Sequence, residues 1–147
     1  MDICALTDGL SVAPQIGLDE VARVAECGFA GLLCNRPDGE EAGQPGAAEM
    51  AAAAARAGLQ FAHQPVISGA VTAADVAEFA RLLGVLPGPV LAYCRSGTRC
   101  STMWALMEAP RRSVDEILAI CARAGYDYSG LRASLEGLGR GEAGVAG

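Results

Sequence analysis

Nine residues, Tyr93-Cys94-Arg95-Ser96-Gly97-Thr98-Arg99-Cys100-Ser101, limit what this chain can fold into more than any other stretch. The apolar run Pro89-Val90-Leu91-Ala92-Tyr93 precedes them and reads as a buried strand. Thr102-Met103-Trp104-Ala105-Leu106-Met107 follows and reads as a helix that stops at Pro110. A cysteine therefore lies where a strand passes through a short Gly-containing loop into a helix N-terminus. Such a loop turns successive N–H groups inward, and the helix dipole adds partial positive charge. That setting lowers a thiol pKa from about 8.5 into the range of roughly 3.5–7.5. Cys94 is thus the candidate nucleophile, and Arg95 and Arg99 bracket the same pocket. Arg95, Ser96, Gly97, Thr98 and Cys100 complete an expected anion-binding loop.

The rest of the chain supplies a scaffold for that junction. Residues 3–7 and 10–14 read as a hairpin around Asp8-Gly9. Residues 18–27 have helical spacing and end at Gly28. Residues 31–35 are continuously apolar, as strands covered on both faces are. Gln44-Pro45 opens an Ala-rich helix that Gly58 ends, and residues 59–63 form the next strand. Thr72-Ala73-Ala74-Asp75 resembles a capping box. Ser113 opens a further helix, and Ser129 is placed to cap a last one bearing Leu131, Leu135 and Leu138. Strands and helices alternate through the middle of the chain. The expected fold is α/β, with a mainly parallel central sheet flanked by helices and an N-terminal hairpin. The expected division is a domain over 1–136 and a Gly/Ala-rich, frayed tail over 137–147. In such sheets the site lies beyond the carboxyl ends of the strands. The strand exits at 35–41, 63–68 and 94–100 should therefore meet.

Composition excludes several classes. The 147 residues are 52% hydrophobic, enough for one core, but only 5% aromatic. Net charge is −6 and all eleven basic residues are arginine, so no basic stripe is available for a nucleic acid. No charged-then-apolar leader opens the chain, and no apolar run reaches the roughly 18 residues of a membrane span. A cytoplasmic location with reduced thiols, and no nucleic-acid or membrane partner, is expected. Six cysteines without a C-x-x-C pair, beside one histidine, leave no ligand set for a structural metal. No cofactor is expected. Cys4, Cys27, Cys34 and Cys121 fall on apolar faces and read as core.

The loop and several separated motifs carry a resemblance. Pro89-Val90-Leu91 with Tyr93-Cys94-Arg95-Ser96-Gly97-Thr98-Arg99 is similar to the phosphatase-like domain of beta-lactamase-hydrolase-like proteins. That bacterial family is also described as sulfur transferases. Leu10-Ser11-Val12-Ala13-Pro14-Gln15, Asn35-Arg36-Pro37-Asp38-Gly39-Glu40, Gln44-Pro45, Pro65-Val66 and Ala124-Gly125-Tyr126-Asp127 match as well. The resemblance spans residues 3–135 and implies a dual-specificity-phosphatase-like fold, with Cys94 as nucleophile and Arg99 holding the anion.

The chemistry is then chosen by residues. Protein-tyrosine phosphatases resemble this loop but carry Cys-x5-Arg followed by a hydroxyl residue. Here Arg99 is five positions after Cys94, and Cys100 takes the hydroxyl position unless Ser101 substitutes. The tighter loop is similar to that of rhodanese-type sulfurtransferases. Phosphomonoester cleavage also gains about 10²–10⁴ from a general acid, and the loop at 63–69 has no carboxylate. Asp38, Glu40 or Glu41 could serve from the neighbouring turn. Sulfite leaves thiosulfate without a proton. The expectation is therefore a sulfurtransferase working through a Cys94 persulfide, with a small anionic sulfur donor and a thiol or cyanide acceptor. Two alternatives stand beside it: a phosphatase working through a phosphocysteine on a phosphorylated substrate, and a non-enzymatic anion or redox sensor. Cys100 admits three roles: a small apolar replacement for serine, a resolving thiol, or a sulfur relay. His63 reads as a strand-end packing or capping residue, or as one that orients the pocket or the Asp38 loop. Arg36 reads as a structural partner for carboxylates or as a rim contact for anions.

Overall fold

The computed structural model describes residues 1–141. Two short strands, β1 (Cys4–Thr7) and β2 (Leu10–Ala13), form the antiparallel hairpin. A 3-10 turn (Leu18–Glu20) leads into α1 (Val21–Glu26), followed by β3 (Gly31–Cys34) and α2 (Ala47–Ala57). Next come β4 (Gln60–His63), α3 (Ala73–Val85), β5 (Val90–Tyr93) and α4 (Thr98–Glu108). The described chain closes with α5 (Val114–Arg123), a 3-10 turn (Ser129–Leu131) and α6 (Arg132–Gly139). The strand order is β1-β2-β5-β3-β4. Every pairing except β1 with β2 is parallel. This is the expected mixed α/β sheet with an N-terminal hairpin, and β5 lies at its centre between β2 and β3.

Sheet alternation divides the core. Val12, Leu33, Val90 and Ala92 face Phe79, Met103, Trp104, Ile117 and Leu135. Ala13, Leu32, Cys34, Leu91 and Tyr93 face Ile16, Val21, Val24, Met50 and Ala54. Strands β2, β3 and β5 are buried along their whole length, which explains why their sequences are continuously apolar. Small alanines on α2 let that helix lie close to the sheet, and Gly58 ends it at φ 83°. Thr72 caps α3 through its reciprocal bonds with Asp75, and Ser113 accepts the Glu116 N–H at the start of α5.

Several boundaries differ from expectation. The segment 18–27 is a 3-10 turn plus a short helix, because the Glu20 carboxylate accepts the Gly17 N–H and caps that turn. Helix α2 starts at Ala47, with Gly46 rather than Gln44-Pro45 at its N-cap. Ser129 does not cap α6; it opens a 3-10 turn, and its own N–H goes to Asp127. Helix α6 continues to Gly139 with Gly137 buried, so the first residues of the expected tail are structural. The remainder, 142–147, lies outside the described residues. Cys27 is exposed at the end of α1 and Cys4 is half-buried, whereas Cys34 and Cys121 are core as expected. Among the described residues no helix is long and apolar enough to cross a membrane.

Candidate active site

The largest difference from the sequence reading concerns α4, which begins at Thr98 rather than at Thr102. Arg99, Cys100 and Ser101 are thus its first turn, and the true loop is Cys94 to Gly97. This polar turn is buried because each side chain has a partner there. Gly97 adopts φ 87°, and a Cβ on it would meet the Tyr126 hydroxyl at 2.1 Å. Only glycine lets the chain reverse from β5 into α4 beneath that tyrosine.

Cys94 is completely buried. Its sulfur accepts the Gly97 N–H at 3.1 Å. The Cys100 thiol points at the same sulfur and is the largest cause of its lowered pKa. Burial opposes the shift, and the N–H groups of Cys100, Ser96 and Arg99 assist it, bringing Cys94 to about 5. At neutral pH the sulfur is therefore a thiolate. Burial and the neighbouring Cys94 push the Cys100 thiol upward, so it remains protonated and able to donate. All six cysteines are free thiols.

The hydroxyl of Ser101 does not reach the sulfur. It donates to the Gly97 carbonyl at 2.8 Å and lies 2.5 Å from the Tyr128 hydroxyl. Tyr128 donates to the Thr98 carbonyl and Tyr126 to the Ser96 carbonyl. The two rings stack at 6.2 Å. The Ala124-Gly125-Tyr126-Asp127 motif thus braces the outside of the cysteine loop, a role its sequence does not announce. Ser96 and Thr98 hydroxyls bond to one another at 2.9 Å on the exposed rim.

The three strand exits do meet. Arg99 donates through Nη1 and Nη2 to both oxygens of Glu40, each at 2.8 Å, and through Nη1 to the Val66 carbonyl at 2.9 Å. Arg36 is 1% exposed and donates from Nε to the same Glu40 at 2.9 Å. It also donates to the Gln15 side chain and pairs with Glu41 at 3.5 Å. Two guanidinium groups, Arg99 foremost, hold the Glu40 carboxyl at about 2. Arg36 is thus a structural partner for carboxylates. Arg95 has 69% of its side chain exposed and pairs with Glu41 at 3.6 Å. An exposed pair of this kind fixes little.

The accessory candidates separate. Asp38 accepts the Ala47 N–H at 2.8 Å and serves the N-terminus of α2. Exposed His63 contacts the Arg36 carbonyl through Nε2 at 2.8 Å, so it supports the acidic turn. Asp75 is tied to Thr72 at the start of α3. The residue under-weighted by sequence is Glu40. Its place in the polar turn between Gly39 and Glu41 marks it only as a proton-donor candidate, and the fold brings it to Arg99 across 59 positions.

Comparison with known proteins agrees with this architecture. The chain is 38% identical over 129 residues to the beta-lactamase hydrolase-like protein of Xylella fastidiosa, covering 86% of this chain but 30% of that protein. The corresponding protein of Agrobacterium fabrum is 35% identical over 109 residues, 74% of this chain and 25% of that one. The chain therefore spans about a third or less of these relatives. The crystal structure of a candidate phosphatase from Neisseria meningitidis superposes with a TM-score of 0.84 at 38% identity, covering 92% of this chain and 97% of that one. The core catalytic domain of the PP-IP phosphatase SIW14 from S. cerevisiae shares the fold at 10% identity, with a TM-score of 0.69 and coverage of 92% and 84%. The fold that the chain shares with these neighbours is the phosphatase-like one that the resemblance implies. A family profile matches residues 2–111, and with it the chain belongs to the phosphatase-like domain family of beta-lactamase hydrolase-like proteins.

Proposed function

We propose that the chain is a cysteine-dependent hydrolase of the phosphatase-like type, with Cys94 as nucleophile and Arg99 as the anion-orienting cation. The observation that carries this reading is the buried Cys94 thiolate, held at about 5 by Cys100 and the loop N–H groups. The thiolate attacks phosphorus, the bond to the leaving oxygen breaks, and water then releases phosphate from the phosphocysteine. Inward N–H groups stabilise the equatorial oxygens as charge develops.

The carboxylates around the site restrict the substrate. Glu40 stays ionised between two arginines, Glu41 is paired with Arg36 and Arg95, and Asp38 and Asp75 are tied to helix N-termini. None of the four is arranged to give a proton to a departing alkoxide. The favoured substrates are phosphoryl compounds whose leaving group is already stable as an anion, such as aryl or acyl phosphates. Incubation with an aryl phosphate, rapid acid quench and intact-mass measurement test this. A gain of about 80 Da on wild type and none on Cys94→Ser is expected for the phosphocysteine. Turnover that survives Cys94→Ser would sink the reading.

A second reading, sulfur transfer through a Cys94 persulfide, is favoured by the Cys-x4-Arg spacing and by the same scarcity of proton donors. Thiosulfate sulfur would bond to Cys94 as sulfite departs with its electron pair, and a thiol or cyanide would remove it. The same mass measurement after thiosulfate treatment separates the two, since a persulfide adds about 32 Da.

A further inference from the structure

Beside Arg99 opens a cavity of about 250 Å³ that neither reading uses. Thr98, Arg99 and Thr102 from the first turns of α4 form one wall. Tyr128 and Leu131, with Tyr128 bonded to Thr98 and Thr102, line it as well, and Ser68 and Val71 contribute from the strand exit after β4. It therefore adjoins the turn that carries the anion-binding arginine.

The polar groups of this lining are largely spoken for within the protein. Tyr128 gives its hydroxyl to the Thr98 carbonyl and receives Thr102 Oγ1 at 3.1 Å. Thr98 Oγ1 accepts from Ser96, and Arg99 is engaged by Glu40 and Val66. What remains for an occupant is the Tyr128 ring, Leu131, Val71 and the threonine methyl groups. An apolar cavity of about 150 Å³ already suffices to bind benzene, whereas whole drug-sized ligands use about 300–1,000 Å³. The space suits one small apolar group of a larger ligand.

We propose that this cavity is a subsite for an apolar group of phenyl or short-acyl size, carried by a substrate whose anionic end lies in the Cys94 loop. The proposal rests on the anion-binding reading of that loop and names the other half of the substrate. It selects an aryl or acyl compound over a bare inorganic anion. Burying a phenyl ring there strengthens binding by about tenfold or more over a methyl group.

The test needs no turnover. Cys94 is alkylated with iodoacetamide in the presence of inorganic phosphate, methylphosphonate or phenylphosphonate, and protection is titrated for each. Phenylphosphonate is expected to protect at about one-tenth the concentration of methylphosphonate. Filling the cavity with Ser68→Phe, or independently with Leu131→Trp, is expected to bring that ratio to about one. Equal protection by both phosphonates in wild type, or a ratio unmoved by both variants, overturns the subsite alone. If none of the three anions protects Cys94, the anion-binding reading falls and the subsite falls with it.

Discussion

Arg99 and Glu40 face each other through two hydrogen bonds of 2.8 Å, although 59 positions separate them in sequence. The pair joins the first turn of α4 to the turn after β3, and Arg36 anchors it from beneath. Glu40 has 26% of its side chain exposed, so solvent screens part of the interaction. Its carboxyl is depressed from 4.5 to about 2, which fixes the sign of the pH effect. The contribution to stability is complete above the ordinary value of 4.5 and is lost as pH falls through about 2. Glu40→Gln is expected to lower stability by about 1–2 kcal/mol at neutral pH, or roughly 2–8 °C in Tm. Thermal melts of both proteins between pH 3 and 8 check this, and coincident melts throughout would show the pair to be idle.

Cys100 holds the position where related loops place a hydroxyl, and its thiol supplies the leading stabilisation of the Cys94 thiolate. The rate of Cys94 alkylation should therefore rise with pH through a midpoint of about 5 and then level off. Cys100→Ala removes the donor and should move that midpoint up by at least about one unit, equivalent to 1.36 kcal/mol. Cys100→Ser keeps a donor and should stay near wild type. An unmoved midpoint in the alanine variant would assign the low pKa to the backbone N–H groups instead.

The parts of this fold that are local in sequence are the parts that could be read there. Continuous burial of β2, β3 and β5 and the Thr72 and Ser113 caps leave short-range signatures. The first turn of α4 does not. Its residues Arg99, Cys100 and Ser101 are buried on tertiary partners, so their polarity mimics a loop. Cys94 was legible because strand, glycine and arginine are consecutive. Glu40 was legible as a proton-donor candidate but not as the partner of Arg99, and Tyr126 and Tyr128 were not legible as site residues, since each acts on the loop from 27 to 59 positions away. The choice between phosphoryl and sulfur chemistry depends on which carboxylates can reach a leaving group, and that is a property of the assembled turns.

Gly97 and Tyr126 make the loop sensitive to one methyl group. An added Cβ would sit 2.1 Å from the Tyr126 hydroxyl, on a residue whose φ is already 87°. Gly97→Ala is therefore expected to cost about 1–2 kcal/mol in backbone strain, with the collision added. Tyr126→Phe removes the bond to the Ser96 carbonyl and should cost about 1 kcal/mol alone. In the double variant the collision is eased but the strain remains, so the combined loss should fall short of the sum of the singles. Denaturant unfolding of the four proteins measures this coupling, and strict additivity would show that the tyrosine gives way without cost.

The absence of a poised proton donor among Asp38, Glu40 and Asp75 has a kinetic signature. A phosphatase with a general acid levels the difference between good and poor leaving groups, because the acid neutralises the departing oxygen. Without one, negative charge accumulates there and the rate depends steeply on leaving-group pKa. Across aryl phosphates whose phenols range from about 7 to about 10, kcat/KM should fall by roughly 10²–10⁴, the magnitude an acid would otherwise supply. The exposed residue Ile67 lies on the strand exit where a carboxylate is missing. Ile67→Asp should leave the best substrates nearly unchanged and raise the rate on the poorest, flattening the slope. A wild-type series that is already flat would mean that a carboxylate reaches the leaving group during turnover, and Asp38→Asn and Glu41→Gln would then identify which.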